Sequence, residues 1–249
     1  MKPVVSRETR KPAVQHPLWS PDEWLARIPA VLASTGLIAS DAQQLQLARY
    51  MALLQRWNGT YNLTALRAPE EMLSHHLADC LVVVAPLRQH LGLMTIGQGD
   101  DLTPEVLPAT RQRVLDVGSG GGLPGVVLAI LCPSVQVTCV DTVGKKAAFI
   151  RQVGAELALP NLRAEHARVE QLKGQYEVIT SRAFASLVDF TDWTAHLLAP
   201  GAWWMAMKGR SPDDEMTALQ ARIRVDRIDP LVVPGLDAER CLVWMQPLA

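Results

Sequence analysis

The residues best suited to chemistry form a glycine-rich loop near the middle of the chain. Asp116 is followed by glycines at alternate positions, Gly118, Gly120 and Gly122, and then by Gly125. The loop follows an apolar segment and precedes a helical pattern. In that context the backbone turns tightly and a ligand can approach it closely. The loop therefore indicates a binding site rather than a simple connection.

A second acidic residue, Asp141, stands at the end of the next apolar segment. A carboxylate at that place can accept hydrogen bonds from both ribose hydroxyls of a nucleoside that lies across the loop. The two features together predict a cofactor that contains a nucleoside. Because Gly120-x-Gly122-x-x-Gly125 also matches the dinucleotide fingerprint, a nicotinamide cofactor is one alternative.

The position of Asp116 favours S-adenosylmethionine over a dinucleotide. Its carboxylate would repel a pyrophosphate, but it suits the cationic methionine end of S-adenosylmethionine, directly or by shaping the loop. An acid followed by alternate glycines resembles class I methyltransferases. No substantial domain follows this region to hold a hydride donor or acceptor.

Strands and helices alternate around the glycine loop. Helices are predicted from about residue 123 and over 145–157, 187–198 and 213–223. Strands are predicted at 114–117, 135–140, 162–166, 176–180, 202–207, near Val225 and at 241–245. This alternation is typical of an α/β fold with helices on both faces of a mostly parallel sheet. We therefore expect the Rossmann-like, seven-stranded class I methyltransferase fold, with ligands at the carboxyl ends of the strands.

The N-terminal third has helical patterns without strands. N-caps at Ser20 and Ser40 predict helices over 21–34 and 40–57, and a further helix is predicted over 69–87. We divide the chain into four parts. These are a flexible tail (1–19), a helical N-terminal extension (20–91), an insertion or linker (92–112) and an S-adenosylmethionine-binding domain (113–249).

The bulk composition is that of an ordinary globular protein, with 49% hydrophobic and 20% charged residues. A net charge of −1 argues against general binding of long naked nucleic acid, though not against a local basic patch. The four cysteines form no C-x-x-C pair, which argues against a zinc site and against a disulfide framework. The chain has no export signal and no apolar run long enough to span a membrane, so a cytoplasmic location is expected.

Six further segments carry a more specific pattern. They are Arg56-Trp-Asn-Gly-Thr-Tyr-Asn-Leu-Thr64, Glu71-Met-Leu-Ser-His-His-Leu-Ala-Asp79, Gly122-Leu-Pro-Gly125, Asp141-Thr-Val-Gly-Lys-Lys146, Ser181-Arg-Ala-Phe-Ala-Ser-Leu187 and Leu236-Asp-Ala-Glu-Arg240. Their order and number closely resemble the glucose-inhibited division protein B family, bacterial methyltransferases of a guanine N7 in small-subunit ribosomal RNA. The resemblance covers roughly residues 40 to 247, apart from the 92–112 insertion.

The resemblance implies a set of cofactor ligands, to which the loop pattern adds Gly122. The implied residues are Gly118, Gly120, Leu123, Asp141, Val169, Glu170 and Arg182. Val169 and Glu170 follow the third strand, where they can contact the adenine edge. Arg182 follows the fourth strand, where it can pair with the cofactor carboxylate or with an RNA phosphate.

Some residues depart from the family pattern. The loop is Ser119-Gly-Gly-Gly122, where the family commonly has Thr-Gly-Pro-Gly or Ser-Gly-Ala-Gly, so the loop is less rigid here. His75 stands where the family often has a basic residue, which would make any RNA contact there weaker or pH-dependent. The 92–112 insertion is longer than the family's usual connection.

Methylation of guanine N7 makes few chemical demands on the protein. N7 has a free lone pair and loses no proton, so alignment is the main requirement, and we expect no obligatory general base and no metal. Arg182 and Asn62, the latter in a predicted polar loop over 57–64, are candidate positioning residues. No Pro-Cys or Asn-Pro-Pro-Tyr motif is present, which argues against methylation of pyrimidine C5 and of exocyclic amines.

Basic residues at strand ends and helix starts are the candidates for RNA contact. Besides Arg182 they are Lys145, Lys146, Arg151, Lys208 and Arg210. A solvated helix face explains Lys145 and Lys146 equally well. His76 and Asp79 lie one helical turn apart, and a packed hydrogen bond between them is favoured over a metal site or a proton relay.

The residues leave several functions open beside ribosomal RNA methylation. One is methylation of a small molecule or a protein, which a near-neutral charge permits. Another is nicotinamide-dependent oxidoreduction, supported by the literal glycine pattern. A third is a non-catalytic role in ribosome assembly. Whether the RNA substrate is free or within the assembled subunit is also open, and we expect a monomer.

Overall fold

A computed structural model describes residues 16–93, 112–219 and 222–248. The strands of these residues are β1 (Arg113–Val117), β2 (Gln136–Asp141), β3 (Leu162–His166), β4 (Tyr176–Arg182), β5 (Leu198–Lys208), β6 (Ile223–Leu231) and β7 (Arg240–Pro247). They form one seven-stranded sheet in the order β3-β2-β1-β4-β5-β7-β6. Strands β1 to β5 run parallel to one another, whereas β7 runs antiparallel to β5 and β6. The predicted fold class is confirmed.

The helices of the described residues precede and alternate with the strands. They are α1 (Pro21–Leu25), α2 (Ile28–Ser34), α3 (Asp41–Tyr61), α4 (Pro69–Met72), a π-helix (Leu73–Ala78), α5 (Asp79–Leu81), α6 (Val84–His90), α7 (Gly125–Leu131), α8 (Gly144–Glu156), α9 (Leu187–Thr194) and α10 (Asp213–Thr217), with short 3-10 helices at Val169–Gln171 and Ala195–Leu197. Because the strand order reverses between β1 and β4, a crevice opens at the carboxyl ends of these two strands.

The predicted caps of the N-terminal helices are present. The Ser20 hydroxyl accepts a hydrogen bond from the backbone N–H of Glu23, and Ser40 caps α3 in the same way. The single helix expected over 21–34 is instead two helices, α1 and α2. The second has a proline in its first turn, where the missing N–H does no harm.

The polar loop predicted over 57–64 begins later than expected, because α3 continues to Tyr61. The rings of Trp57 and Tyr61 are four residues apart on one helix face and lie 5.1 Å apart, a contact that favours the extra helical turn. Asn62 then ends the helix in the left-handed conformation, with φ of 51°. The helix predicted over 213–223 ends early, at Thr217, and β6 starts at Ile223.

The helical extension shares a hydrophobic core with one face of the sheet. Leu47, Met51 and Leu54 of α3 are fully buried in the same cluster as Val127 of α7 and Phe149 of α8. Tyr50 of the same helix donates a hydrogen bond from its hydroxyl to the carbonyl of Gly121, at 2.7 Å. The extension is therefore packed directly against the glycine loop.

The opposite face of the sheet is covered mainly by α9. Phe190 packs there with Leu115, Ile179 and Trp204 in a second buried cluster. Trp203 is only half-buried and lies on the extension side of the sheet, where its ring is 6.5 Å from that of Trp244. Its neighbour Trp204, on the opposite face, is completely buried.

Most of the predicted tail (1–19) and of the insertion (92–112) lies outside the described residues. Within the former, Trp19 packs edge-on against Trp24, and its backbone N–H donates a hydrogen bond to Gln55 at 3.0 Å. Trp19 therefore belongs to the helical extension. Across the described ranges, no helix has the length and apolar character needed to cross a membrane.

Replacing Tyr50 with phenylalanine should lower the free energy of unfolding by about 1–3 kcal/mol, because the buried carbonyl of Gly121 would lose its donor. Urea denaturation followed by tryptophan fluorescence measures this change. The control is Tyr61→Phe, at a side chain that is 40% exposed, and it should leave stability unchanged. Equal stabilities of the Tyr50→Phe variant and the wild type would contradict the prediction.

Candidate active site

The glycine loop closes over the end of β2. Gly118 donates a backbone hydrogen bond to the carbonyl of Val140, at 2.9 Å. Gly118, Gly120 and Gly122 all have positive φ angles, a conformation that L side chains rarely adopt. At Gly118 an added Cβ would also lie 2.4 Å from the ring of Phe184. The glycine at this position is therefore required by both backbone conformation and space.

Asp116 supports the glycine loop from the interior of the protein. Its side chain is completely buried, and Oδ2 accepts a hydrogen bond from the backbone N–H of Gly125 at 2.9 Å. Burial raises the pKa of this carboxyl group to about 7. Of the two roles considered for Asp116, the structure supports the shaping of the loop.

Asp141 connects the end of β2 to the same loop. Its Oδ2 accepts a hydrogen bond from the N–H of Gly120 at 3.0 Å, and its Oδ1 accepts one from the N–H of Val143 at 2.8 Å. The Lys146 ammonium lies 3.7 Å from Oδ2. The carboxylate is thus held in one orientation, with a positive charge beside it.

A cleft of about 430 Å³ lies at the carboxyl ends of β1, β2 and β4. Gly118, Asp141, Val169 and Glu170, all predicted as cofactor ligands, line it. The full lining is Val117, Gly118, Val140, Asp141, Thr142, Val143, Lys146, Ala167, Arg168, Val169, Glu170, Ala183, Phe184 and Trp193. Phe184 and Trp193 were not identified from the sequence as site residues, since a lone aromatic residue carries no signal that separates cleft from core.

The other predicted cofactor residues lie around this cleft rather than in its lining. Gly120 is connected to the cleft through its backbone N–H, which donates a hydrogen bond to Asp141 in the lining. Gly122 packs closely against Val126, because an added Cβ on this glycine would lie 2.5 Å from Val126 Cγ2. Leu123 is buried. These contacts place Gly122 and Leu123 in the support of the loop.

Arg182 lies in a second cavity, of about 280 Å³, with Asp79, Lys208 and Arg240. Its Nη1 donates to Asp79 Oδ2 at 3.0 Å and to the carbonyl of His75 at 2.9 Å. Arg240 donates from Nε to the other oxygen of Asp79, at 2.8 Å. Ala183 lines both cavities, so the two adjoin.

The hydrogen bond expected between His76 and Asp79 is not formed. His76 Nε2 lies 2.6 Å from the Thr64 hydroxyl, and its Nδ1 lies 3.1 Å from the His75 carbonyl. Asp79 points to the two arginines instead, because a guanidinium is a stronger donor to a buried carboxylate than a neutral imidazole. Asp79 joins the helical extension to the main domain, but through Arg182 and Arg240.

The predicted RNA-contact residues fall into two groups. Lys145, Arg151 and Arg210 are exposed, and Arg151 donates a hydrogen bond from Nε to the carbonyl of Ala164. Lys146 and Lys208 instead line the two cavities. Lys146 and Lys208, like Arg182, can therefore contact a ligand inside the site.

The loop after α3 runs beside the glycine loop. The carbonyl of Leu63 lies 3.9 Å from the position that a Cβ on Gly120 would take. Asn62, proposed from sequence as a positioning residue, accepts a hydrogen bond from Arg67 through its side-chain oxygen. Tyr61 is exposed at this corner.

The described residues contain no group of three or more histidine, cysteine or acidic side chains that could hold a metal ion. The four cysteines are all buried and form no disulfide. Burial raises the pKa of the Cys139 thiol. This thiol is therefore a poor nucleophile near neutral pH.

Burial lowers the pKa of His76 to about 4. Since an unfolded histidine has a pKa near 6.5, the unfolded state binds a proton that the folded state does not take up, and stability falls as pH decreases from about 6.5 to 4. Between pH 7 and pH 5 this loss should be about 2 kcal/mol. Asp116, with its raised pKa, has the opposite effect: it lowers stability as pH rises from about 4 to 7.

Urea denaturation of the His76→Gln variant at pH 7 and pH 5 isolates the histidine contribution. The variant should lose less stability on acidification than the wild type. His196→Gln, at an exposed histidine, is the matched control and should follow the wild-type pH dependence. A wild-type slope in the His76→Gln variant would show that His76 is not the group responsible.

Comparison with known proteins places this architecture in a family. The family model for rRNA small subunit methyltransferase G, named GidB, matches residues 43–103 and 102–243. A ribosomal RNA small subunit methyltransferase G of Paracidovorax citrulli is 53% identical over 226 residues, covering 91% of each chain. Another, of Leptothrix cholodnii, is 57% identical over 213 residues, covering 85% of this chain and 90% of its own. The chain therefore belongs to the GidB family of small-subunit ribosomal RNA methyltransferases.

Proposed function

We propose that this protein transfers a methyl group from S-adenosylmethionine to N7 of a guanine in 16S ribosomal RNA. The observation that carries the proposal is the 53% identity to a ribosomal RNA small subunit methyltransferase G over nearly the whole of both chains. The cleft beside Gly118 and Asp141 provides a place for the cofactor that such a reaction requires.

The residues of the cleft fit S-adenosylmethionine. The Asp141 carboxylate can accept hydrogen bonds from ribose hydroxyls, and the adjacent loop leaves room for the nucleoside. Phe184 and Trp193 provide apolar surface for the adenine or the methionine chain. The proposed ligands and supporting residues are Gly118, Gly120, Gly122, Leu123, Asp141, Val169, Glu170 and Arg182.

The chemistry requires alignment more than acid–base catalysis. When bound, S-adenosylmethionine supplies a methyl group on a sulfonium; the guanine N7 lone pair forms the new bond while the carbon–sulfur bond breaks and its electrons remain on sulfur. The guanine gains a positive charge and loses no proton. The side chains must therefore hold the two reactants in line, which can lower a barrier by roughly 7–11 kcal/mol. Arg182 and Asn62 remain the proposed positioning residues.

We further propose that the protein acts as a monomer in the cytoplasm, on RNA within the small subunit. With a net charge of −1, it has little general attraction for RNA, and an assembled particle offers a shaped docking surface. The proposed RNA contacts are Lys145, Lys146, Arg151, Lys208 and Arg210. We retain the division into tail, helical extension, insertion and methyltransferase domain as a proposal, with Trp19 assigned to the extension.

One observation weighs against a nicotinamide cofactor. The Asp116 carboxylate occupies the N-terminus of α7, where it takes the N–H of Gly125. A dinucleotide would place its pyrophosphate at the N-terminus of this helix. The buried carboxyl group and the occupied donor both oppose that arrangement. A thermal-shift comparison should show stabilisation by S-adenosylhomocysteine and none by NADH.

The reaction is tested by methyl transfer from labelled S-adenosylmethionine to small ribosomal subunits from cells that lack this protein. We expect label in the RNA and strand cleavage at one guanine under N7-specific chemistry. Parallel reactions with protein-free RNA identify the preferred substrate. Tight cofactor binding without transfer to RNA would direct the search to small-molecule or protein acceptors.

Replacement of Asp141 by asparagine should weaken binding of S-adenosylhomocysteine about 10- to 100-fold, since each tenfold corresponds to about 1.4 kcal/mol and a charge-assisted hydrogen bond is worth about 1.5–3 kcal/mol. Isothermal titration calorimetry measures the affinity. Glu165→Gln, at an exposed carboxylate on β3, is the control and should bind as the wild type does. Unchanged affinity in Asp141→Asn would remove Asp141 from the cofactor site.

A further inference from the structure

Two arginines share one buried carboxylate in the second cavity. Asp79, at the start of α5, contacts Arg182 at the end of β4 and Arg240 at the start of β7. The Asp79 side chain is 4% exposed, whereas those of Arg182 and Arg240 are 20% and 24% exposed. The carboxylate is therefore covered, and the two guanidinium groups retain a surface on the cavity.

This group carries a net positive charge of one, since two guanidinium groups face a single carboxylate. The nearby Lys208 is already neutralised by Glu215, whose carboxylate lies 2.8 Å from the ammonium. Among the described residues, no hydrogen bond uses Nη2 of Arg182 or of Arg240. The cavity thus combines an excess cation with N–H donors that suit an anion.

We propose that this cavity binds a phosphodiester group of the RNA beside the target nucleotide, with Arg240 as the main contact and Asp79 as the residue that positions it. The inference rests on the proposed function. The cavity adjoins the cofactor cleft at Ala183, so a phosphate bound there lies close to the reacting base.

A phosphate group is a better ligand for the two arginines than the target base is. Methyl transfer moves positive charge onto the guanine, and a guanidinium directly against that ring would oppose the reaction. A phosphodiester carries a permanent negative charge and accepts paired hydrogen bonds from a guanidinium. An arginine at the backbone therefore holds the nucleotide without a charge penalty at its base.

Arg240 allows this site to be distinguished by experiment from the cofactor cleft. Arg182 adjoins both cavities through its neighbour Ala183, whereas Arg240 lines only the second one. The carboxylate of a bound cofactor is the other anion that an arginine here could contact. Variants of Arg240 distinguish the two anions, because they should affect RNA binding and leave cofactor binding intact.

The test measures binding of small ribosomal subunits to Arg240→Gln over a range of KCl concentrations, beside calorimetry with S-adenosylhomocysteine. We expect at least tenfold weaker subunit binding at low salt and a salt-dependence slope reduced by about 0.7–0.9, the loss of one phosphate contact. Affinity for S-adenosylhomocysteine should stay within about twofold of the wild type. Arg240→Lys keeps the charge and loses the planar fork, so it should weaken binding while retaining the wild-type slope.

The matched control is Arg113→Gln, an exposed arginine at the opposite end of the sheet, which should bind subunits and S-adenosylhomocysteine as the wild type does. The proposal is overturned if Arg240→Gln binds subunits normally. It is equally overturned if that variant loses affinity for S-adenosylhomocysteine and keeps its affinity for subunits, since the anion would then be the cofactor carboxylate.

Asp79→Asn tests the positioning role. This variant makes the cavity more positive, so general electrostatic attraction predicts tighter subunit binding. If Asp79 positions Arg240, the variant should misalign the guanidinium group and bind subunits more weakly in spite of the added charge. Weaker binding is the expected result. Tighter binding would assign Asp79 a role in charge balance alone.

Binding and methyl transfer separate this inference from the proposed function. Wild-type protein that binds subunits in an Arg240-dependent manner without methylating them would refute the reaction and preserve the phosphate site. Methylation by the wild type together with normal subunit binding by Arg240→Gln would preserve the reaction and refute the phosphate site. Wild-type protein that binds no subunits would refute the phosphate site.

Discussion

The glycine loop depends on the carboxyl group of Asp116, which is buried beneath it. A charged carboxylate in that position is costly, and the raised pKa of Asp116 is the measure of this cost. The N–H of Gly125 offsets part of it and fixes the start of α7. Asp141 holds the other side of the loop through Gly120. Two carboxylates thus define a loop whose own glycines provide little rigidity.

The helical extension supports both the glycine loop and the cavity that contains Arg182 and Arg240. Its Tyr50 supports the loop from one side, and Leu54 fills the space beside Gly121 that a Cβ would otherwise occupy. An added Cβ on Gly121 would lie 2.7 Å from Leu54 Cδ1, so a larger residue there would require the leucine side chain to shift. The same extension supplies Asp79, which orients Arg182 and Arg240 at the neighbouring cavity. Cofactor and RNA would therefore meet where the extension joins the sheet.

Much of the fold could be predicted from local patterns. The alternation of strands and helices predicted a mostly parallel sheet, and the caps at Ser20 and Ser40 predicted helix starts, because both signals reside in neighbouring residues. The helix ends were less accurate. The contact between the rings of Trp57 and Tyr61 favours one more turn of α3. The polar composition of this segment predicted a loop instead.

The sequence by itself determined the fold class and the main cofactor candidates, since strand, glycine loop and acid follow one another along the chain. Only the tertiary structure decided how distant residues pair. Asp79 had a neighbouring partner in His76, yet it binds Arg182 and Arg240, which lie over a hundred positions away in the chain. The packing of distant elements likewise placed Phe184 and Trp193 in the lining of the cleft. Such contacts depend on packing between elements, which no local pattern encodes.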